Sequence, residues 1–134
     1  MIEYREYITR KYIKENPNKI FLFGDNLQKR GLGGQAKEMR REPNAIGIPT
    51  KKKPSMRDGS FFTDDEFQDN VHHIDMALLE IWSIKPGFDS NKDIVVIPKM
   101  GLGTGMAKLK EKAPLTYQYL SNRLNELGDV IEDA

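Results

Sequence analysis

Twice in this chain a short apolar run empties into a glycine-rich turn, and this repeated pattern limits the fold more than any other feature. The first passage reads Ile20-Phe21-Leu22-Phe23-Gly24-Asp25-Asn26-Leu27-Gln28-Lys29-Arg30-Gly31-Leu32-Gly33-Gly34-Gln35-Ala36. The second reads Ile94-Val95-Val96-Ile97-Pro98-Lys99-Met100-Gly101-Leu102-Gly103-Thr104-Gly105-Met106-Ala107. A short unbroken apolar run bounded by turn residues describes a strand covered on both faces, as in a parallel sheet clad in helices. Glycine has no Cβ, so a turn built from it lets backbone N–H groups approach a ligand and admits φ > 0. Two such turns, each leading towards a helix, predict two walls of a phosphate-binding crevice at the carboxyl ends of the strands.

The remaining segments extend this into an alternating plan. Residues 2–7 predict an edge strand, followed by a short polar helix or turn to Asn16. Residues 33–42 predict a helix stopped before Pro43, and Ala45–Pro49 a second buried strand. Thr63-Asp64-Asp65-Glu66 has the form of a capping box. After it, Phe67, Val71, Ile74, Leu78 and Ile81 recur at helical spacing and mark one apolar face. Pro86-Gly87 closes that helix. Pro114 to Leu127 reads as a last helix with Gly128 as its cap. The expected fold class is α/β, a three-layer α/β/α sandwich around a mostly parallel sheet. A length of 134 residues suits a single domain over 1–134.

The chain has no cysteine, which rules out disulfides, cysteine nucleophiles and thiolate metal sites and fits a cytoplasmic protein. No apolar run approaches the ~20 residues of a membrane span, and the amino terminus lacks a signal-peptide pattern. No membrane partner is expected, and a monomer is. Net charge is +1 but unevenly spread. Residues 29–57 hold nine basic side chains against Glu38 and Glu42, while residues 58–80 hold seven acidic ones and no Lys or Arg. This describes either two solvated faces or a basic rim that attracts an anion.

In the first turn, the amides around Gly31, Gly33, Gly34 and Gln35 are candidates for holding a pyrophosphate. Gly24 marks the strand exit, and Asp25 or Asn26 could bond ribose hydroxyls or an adenine amine. In the second, Gly101, Leu102, Gly103, Thr104 and Gly105 form a candidate anion nest, with Lys99 at its entrance. Thr50 and Lys51 follow the strand ending at Pro49, and a lysine there can pair with phosphate or act as a nucleophile. The plain alternative is that the glycines only permit tight turns and close packing. His72 and His73 are adjacent on a helix, about 100° apart, so they do not readily share a metal, and no metal site or cofactor is expected.

Three passages together resemble the macrodomain fold, in the branch of terminal ADP-ribose glycohydrolases and bacterial antitoxins of DNA ADP-ribosylation. They are Gly31-Leu32-Gly33-Gly34-Gln35-Ala36, Pro49-Thr50-Lys51-Lys52 and Pro98-Lys99-Met100-Gly101-Leu102-Gly103. The order and approximate spacing agree over residues 20–120. The chain is also similar to small uncharacterised phage and bacterial proteins that share the Phe-Gly-Asp-Asn-Leu turn. The resemblance implies a pocket for ADP-ribose or an ADP-ribosylated macromolecule, with nucleic acid as one modified substrate. It implies hydrolysis of an ADP-ribosyl linkage with Lys51 as nucleophile. The branch places an aspartate in the second loop, where this chain has none. Asp25 on the facing wall is then the candidate acid/base, and a binding module without turnover is the alternative. A nucleic-acid-binding accessory protein using the basic stretch is a third.

Overall fold

Four strands carry the fold: β1 (Ile2–Arg5), β2 (Ile20–Asn26), β3 (Ala45–Lys51) and β4 (Val95–Pro98). They form one all-parallel sheet in the order β1-β4-β2-β3. The structure, a computed structural model, describes residues 1–131. The apolar runs are strands because both of their faces are covered. Along β2, Ile20 and Leu22 join one core and Phe21 and Phe23 the other. On the first face lie α3 (Phe67–Ile84) and α5 (Pro114–Asn125), which contribute Ile74, Leu78, Ile81, Leu120 and Leu124. On the second lie α1 (Arg10–Glu15) and α2 (Ala36–Met39), with Ile13 and Met39. The result is the expected three-layer α/β arrangement. Each fully buried Phe, Leu or Ile stabilises it by about 1.5–3 kcal/mol.

The chain path explains where a site forms. From β1 through α1, β2 and α2 to β3, the chain steps one way across the sheet with its helices on one face. From β3 through α3 to β4 it returns with its helix on the other face, as right-handed crossovers require. The turns after neighbouring strands β2 and β4 therefore leave towards opposite faces, and a crevice opens between them. The β2–β4 ladder itself extends only over Ile20↔Val95 and Phe21↔Val96.

Several expectations need correction. The helix expected over 33–42 is one turn, Ala36–Met39. Gly34 has φ +55, outside the right-handed helical region, and Arg40 leaves the helix at ψ 131. The capping box does not form, because Thr63 makes no side-chain cap bond and Asp64–Glu66 is a 3₁₀ turn. Asp64 instead accepts from the amides of Leu115 (3.1 Å) and Thr116 (3.3 Å) at the start of α5. The last helix ends at Asn125, two residues short of the expected Leu127, and a short α4 (Leu109–Lys112) precedes it. On α3, Asn70 takes a buried place and bonds Thr116 Oγ1, while Val71 is only half-buried. Among the described residues no helix is long and apolar enough to cross a membrane.

Candidate functional site

A cavity of about 430 Å³ opens at the carboxyl ends of β2, β3 and β4. Its floor includes Gly24, Thr50 and Lys51. Gly31, Gly33 and Gly34 of the first loop form one wall, and Gly101, Gly103, Thr104 and Gly105 of the second form the other. The expected convergence of three strand exits is therefore present. Close packing brings it about. Gly103 has φ +74, and a Cβ there would lie 3.0 Å from the Cβ atoms of both Thr50 and Leu109. A Cβ on Gly24 would lie 3.1 Å from the Gly103 nitrogen. Across the mouth, Met106 reaches from the second loop to the first, its Cε 2.8 Å from where a Gly33 Cβ would stand.

The loops present unengaged backbone donors. The amides of Gly33, Gly34 and Gln35, and those of Gly103, Thr104 and Gly105, donate to no other described residue. Since α2 is a single turn, whatever pull the first loop exerts on an anion comes from these individual N–H groups rather than from a helix dipole.

Most of the polar side chains expected to meet a ligand are already spent on building the loops. Arg40 donates Nη2 to Asp25 Oδ1 at 2.6 Å and Nη1 to Oδ2 at 3.0 Å. The Asn26 amide also donates to Oδ1. Arg40 Nε donates to the Gly31 carbonyl at 2.9 Å, so one guanidinium ties β2 to the first loop. Asp25 is thus a buried brace with both oxygens occupied, which is at odds with the role of free acid/base. Asn26 closes its own turn, accepting from Gln28 N and donating to the Arg30 carbonyl. Gln35 pairs with both backbone groups of Ile8, fastening the first loop to the β1–α1 connection. Thr50, fully buried, donates to the Asp25 carbonyl. The plain reading of that turn as self-closing holds for these side chains.

Lys51 differs. It is 6% exposed, lines the cavity and makes no ion pair with a described carboxylate. Its Nζ meets only the Met56 thioether, at 3.3 Å, and the face of Phe61, 5.0 Å from the ring centroid. Burial first, and then the Lys108 ammonium, hold its amine below the ordinary lysine value. A buried amine without a carboxylate partner, on a residue that lines a cavity, can accept an anion or, once neutral, attack an electrophilic carbon.

Two expected residues lie elsewhere. Lys99 is mostly exposed and pairs with Glu6 at 3.3 Å, outside the cavity lining. Leu102 is a core residue, 3% exposed. Sequence reasoning missed Arg40, which stood among nine basic residues with nothing local to single it out. It also missed Tyr7, which reaches the cavity from the segment after β1, 53% exposed. Among the described residues no group of three or more His, Asp or Glu side chains is placed to hold a metal.

A family model described as a family of unknown function, DUF7831, matches residues 3–123, and the chain belongs to that family. No curated protein and no solved structure matches it.

Proposed function

We propose that the cavity binds ADP-ribose or a closely related nucleotide and that Lys51 acts on the distal ribose to cleave an ADP-ribosyl linkage. One observation carries this reading: a buried lysine without a carboxylate partner lines a cavity whose two walls offer free backbone N–H groups. The diphosphate lies on those groups, and the distal ribose meets Lys51. Cavities of this size commonly hold nucleotide-sized ligands. The setting is the cytoplasm, in keeping with a chain that has no cysteine.

The reaction is a substitution at the anomeric carbon. The neutral Lys51 amine forms a bond to that carbon as the bond to the attached group breaks. The electron pair departs with that group, which takes up a proton. Water then displaces the lysine, releasing ADP-ribose and regenerating the amine. A second reading, binding without turnover, draws on the occupied carboxylate of Asp25. Glu6 is the other acidic residue in the lining, and it is exposed and paired with Lys99.

Titration calorimetry with ADP-ribose, with AMP as control, tests binding. Micromolar affinity that needs the distal ribose supports the reading, and no heat with either ligand removes it. Release of ADP-ribose from a modified substrate, lost in Lys51→Ala while binding survives, supports cleavage. Turnover retained in that variant removes the role of Lys51.

A further inference from the structure

We propose that Arg30 is the residue that selects for the ligand's diphosphate, its guanidinium donating two parallel N–H bonds to phosphate oxygens at the cavity wall formed by the first loop. The proposal rests on the nucleotide reading for the rest of the ligand, but the anion contact itself stands on the charges that line the cavity.

The charged side chains in the lining are those of Glu6, Asp25, Arg30, Arg40 and Lys51. Asp25 and Arg40 neutralise each other through two hydrogen bonds. Glu6 pairs at 3.3 Å with Lys99, which lies outside the lining. What remains is positive: Arg30 and Lys51 line the cavity, and neither pairs with a described carboxylate. The loop is fastened on both sides of Arg30. Buried Asn26 donates Nδ2 to the Arg30 carbonyl at 2.7 Å, and Arg40 Nε donates to the carbonyl of the next residue, Gly31, at 2.9 Å. Lys29 takes a left-handed conformation, φ 55, to make this turn, and its amide donates to the Asn26 carbonyl. The guanidinium donates Nη2 to Gln28 Oε1 at 2.9 Å, an uncharged acceptor that orients it without cancelling its charge. Its remaining N–H donors engage no other described residue.

The two free cations divide the work by their chemistry. A guanidinium keeps its proton at any working pH, and its fork matches two oxygens of a phosphate. Lys51 must shed its proton before it can attack. A diphosphate seated against Lys51 would favour the charged amine and oppose that step. Arg30 is the lining cation able to hold the diphosphate while Lys51 is neutral. The unengaged amides of Gly33, Gly34 and Gln35 belong to the same loop and also line the cavity. One segment thus offers the anion a permanent charge together with backbone N–H groups.

The test uses the full chain with the variants Arg30→Gln and Arg30→Lys. Arg30 is exposed and its guanidinium bonds only Gln28 among the described residues, so neither substitution removes a packed or ion-paired group. Calorimetry with ADP-ribose should give a Kd about tenfold weaker for Arg30→Gln than for the wild type. Arg30→Lys should recover only part of that loss, because a point charge replaces the fork. Added salt should weaken binding to the wild type more than to Arg30→Gln. Equal affinity of the wild type and Arg30→Gln for ADP-ribose overturns the proposal and leaves the nucleotide reading standing. Full affinity in Arg30→Lys overturns the forked contact. Inorganic pyrophosphate is titrated separately. Saturable pyrophosphate binding that is lost in Arg30→Gln, with no binding of ADP-ribose to the wild type, supports Arg30 as the anion contact and removes the nucleotide reading. Binding of neither compound to the wild type overturns both.

Discussion

Replacing Arg40 by methionine should destabilise this protein more than its position just after a one-turn helix suggests. The Asp25 side chain is 5% exposed and the Arg40 side chain 14%, and two hydrogen bonds join them at 2.6 and 3.0 Å. Removing one partner of such a pair leaves a buried charge uncompensated, at a cost of about 3–5 kcal/mol. The Asn26 amide, 2.8 Å from Asp25 Oδ1, relieves part of this, which places Arg40→Met near about 3 kcal/mol. Asp25→Asn keeps one acceptor for the guanidinium and should cost about 2 kcal/mol. In the double variant neither charge is left alone, so the loss should stay near about 3 kcal/mol, a coupling of about 2 kcal/mol. At this chain length 1 kcal/mol corresponds to about 4 °C, so Arg40→Met should melt about 12 °C below the wild type. Urea unfolding of the four proteins, followed by circular dichroism, measures the cycle. Strict additivity, or a loss under about 0.5 kcal/mol for Arg40→Met, would refute the brace.

Two further outcomes follow from the site. The folded-state amine of Lys51 lies below its ordinary value near 10.5, so between that lowered value and 10.5 the unfolded chain holds more protons and stability rises with pH. Lys51→Met should therefore be more stable than the wild type at neutral pH, with an advantage that shrinks as pH climbs towards 10.5; urea midpoints across that range decide it, and a constant advantage rejects the linkage. Gly103→Ala should lose about 3 kcal/mol, combining left-handed backbone strain with overpacking against Thr50 and Leu109. Gly34→Ala, at φ +55 in open space, should lose about 1 kcal/mol from strain alone, and equal losses in thermal melts would contradict the packing argument.

Much of the architecture was legible in the residues. The runs Ile20–Phe23 and Ile94–Ile97 read as strands buried on both faces, and alternation with helices gave the parallel order its logic. The glycine loops were placed at strand exits, although β2 runs on through Gly24 and Asp25 to Asn26 before the first of them begins. What failed was local. The stretch from Gly33 to Glu42 has helical composition, yet Gly34 and Arg40 leave the helical region to shape the first loop. Thr63 and Glu66 have the spacing of a capping box, yet Asp64 turns to the amides of α5, about fifty positions away in sequence.

The division between the two sources of information has a physical reason. Hydrophobic pattern and glycine placement act over a few residues, so the sequence alone determined the class of fold, the end of the sheet that opens and the presence of Lys51 at a strand exit. Which polar groups remain free is decided by pairings between distant segments. Arg40 takes Asp25 out of the chemistry, Ile8 takes Gln35, and the Arg30 carbonyl and Gln28 amide take Asn26. Lys51 has no such partner, and its Nζ lies against the Met56 thioether and the face of Phe61. Only the tertiary structure brings those groups within reach of one another, because Coulomb and hydrogen-bond energies depend on distance in space, whatever the separation along the chain.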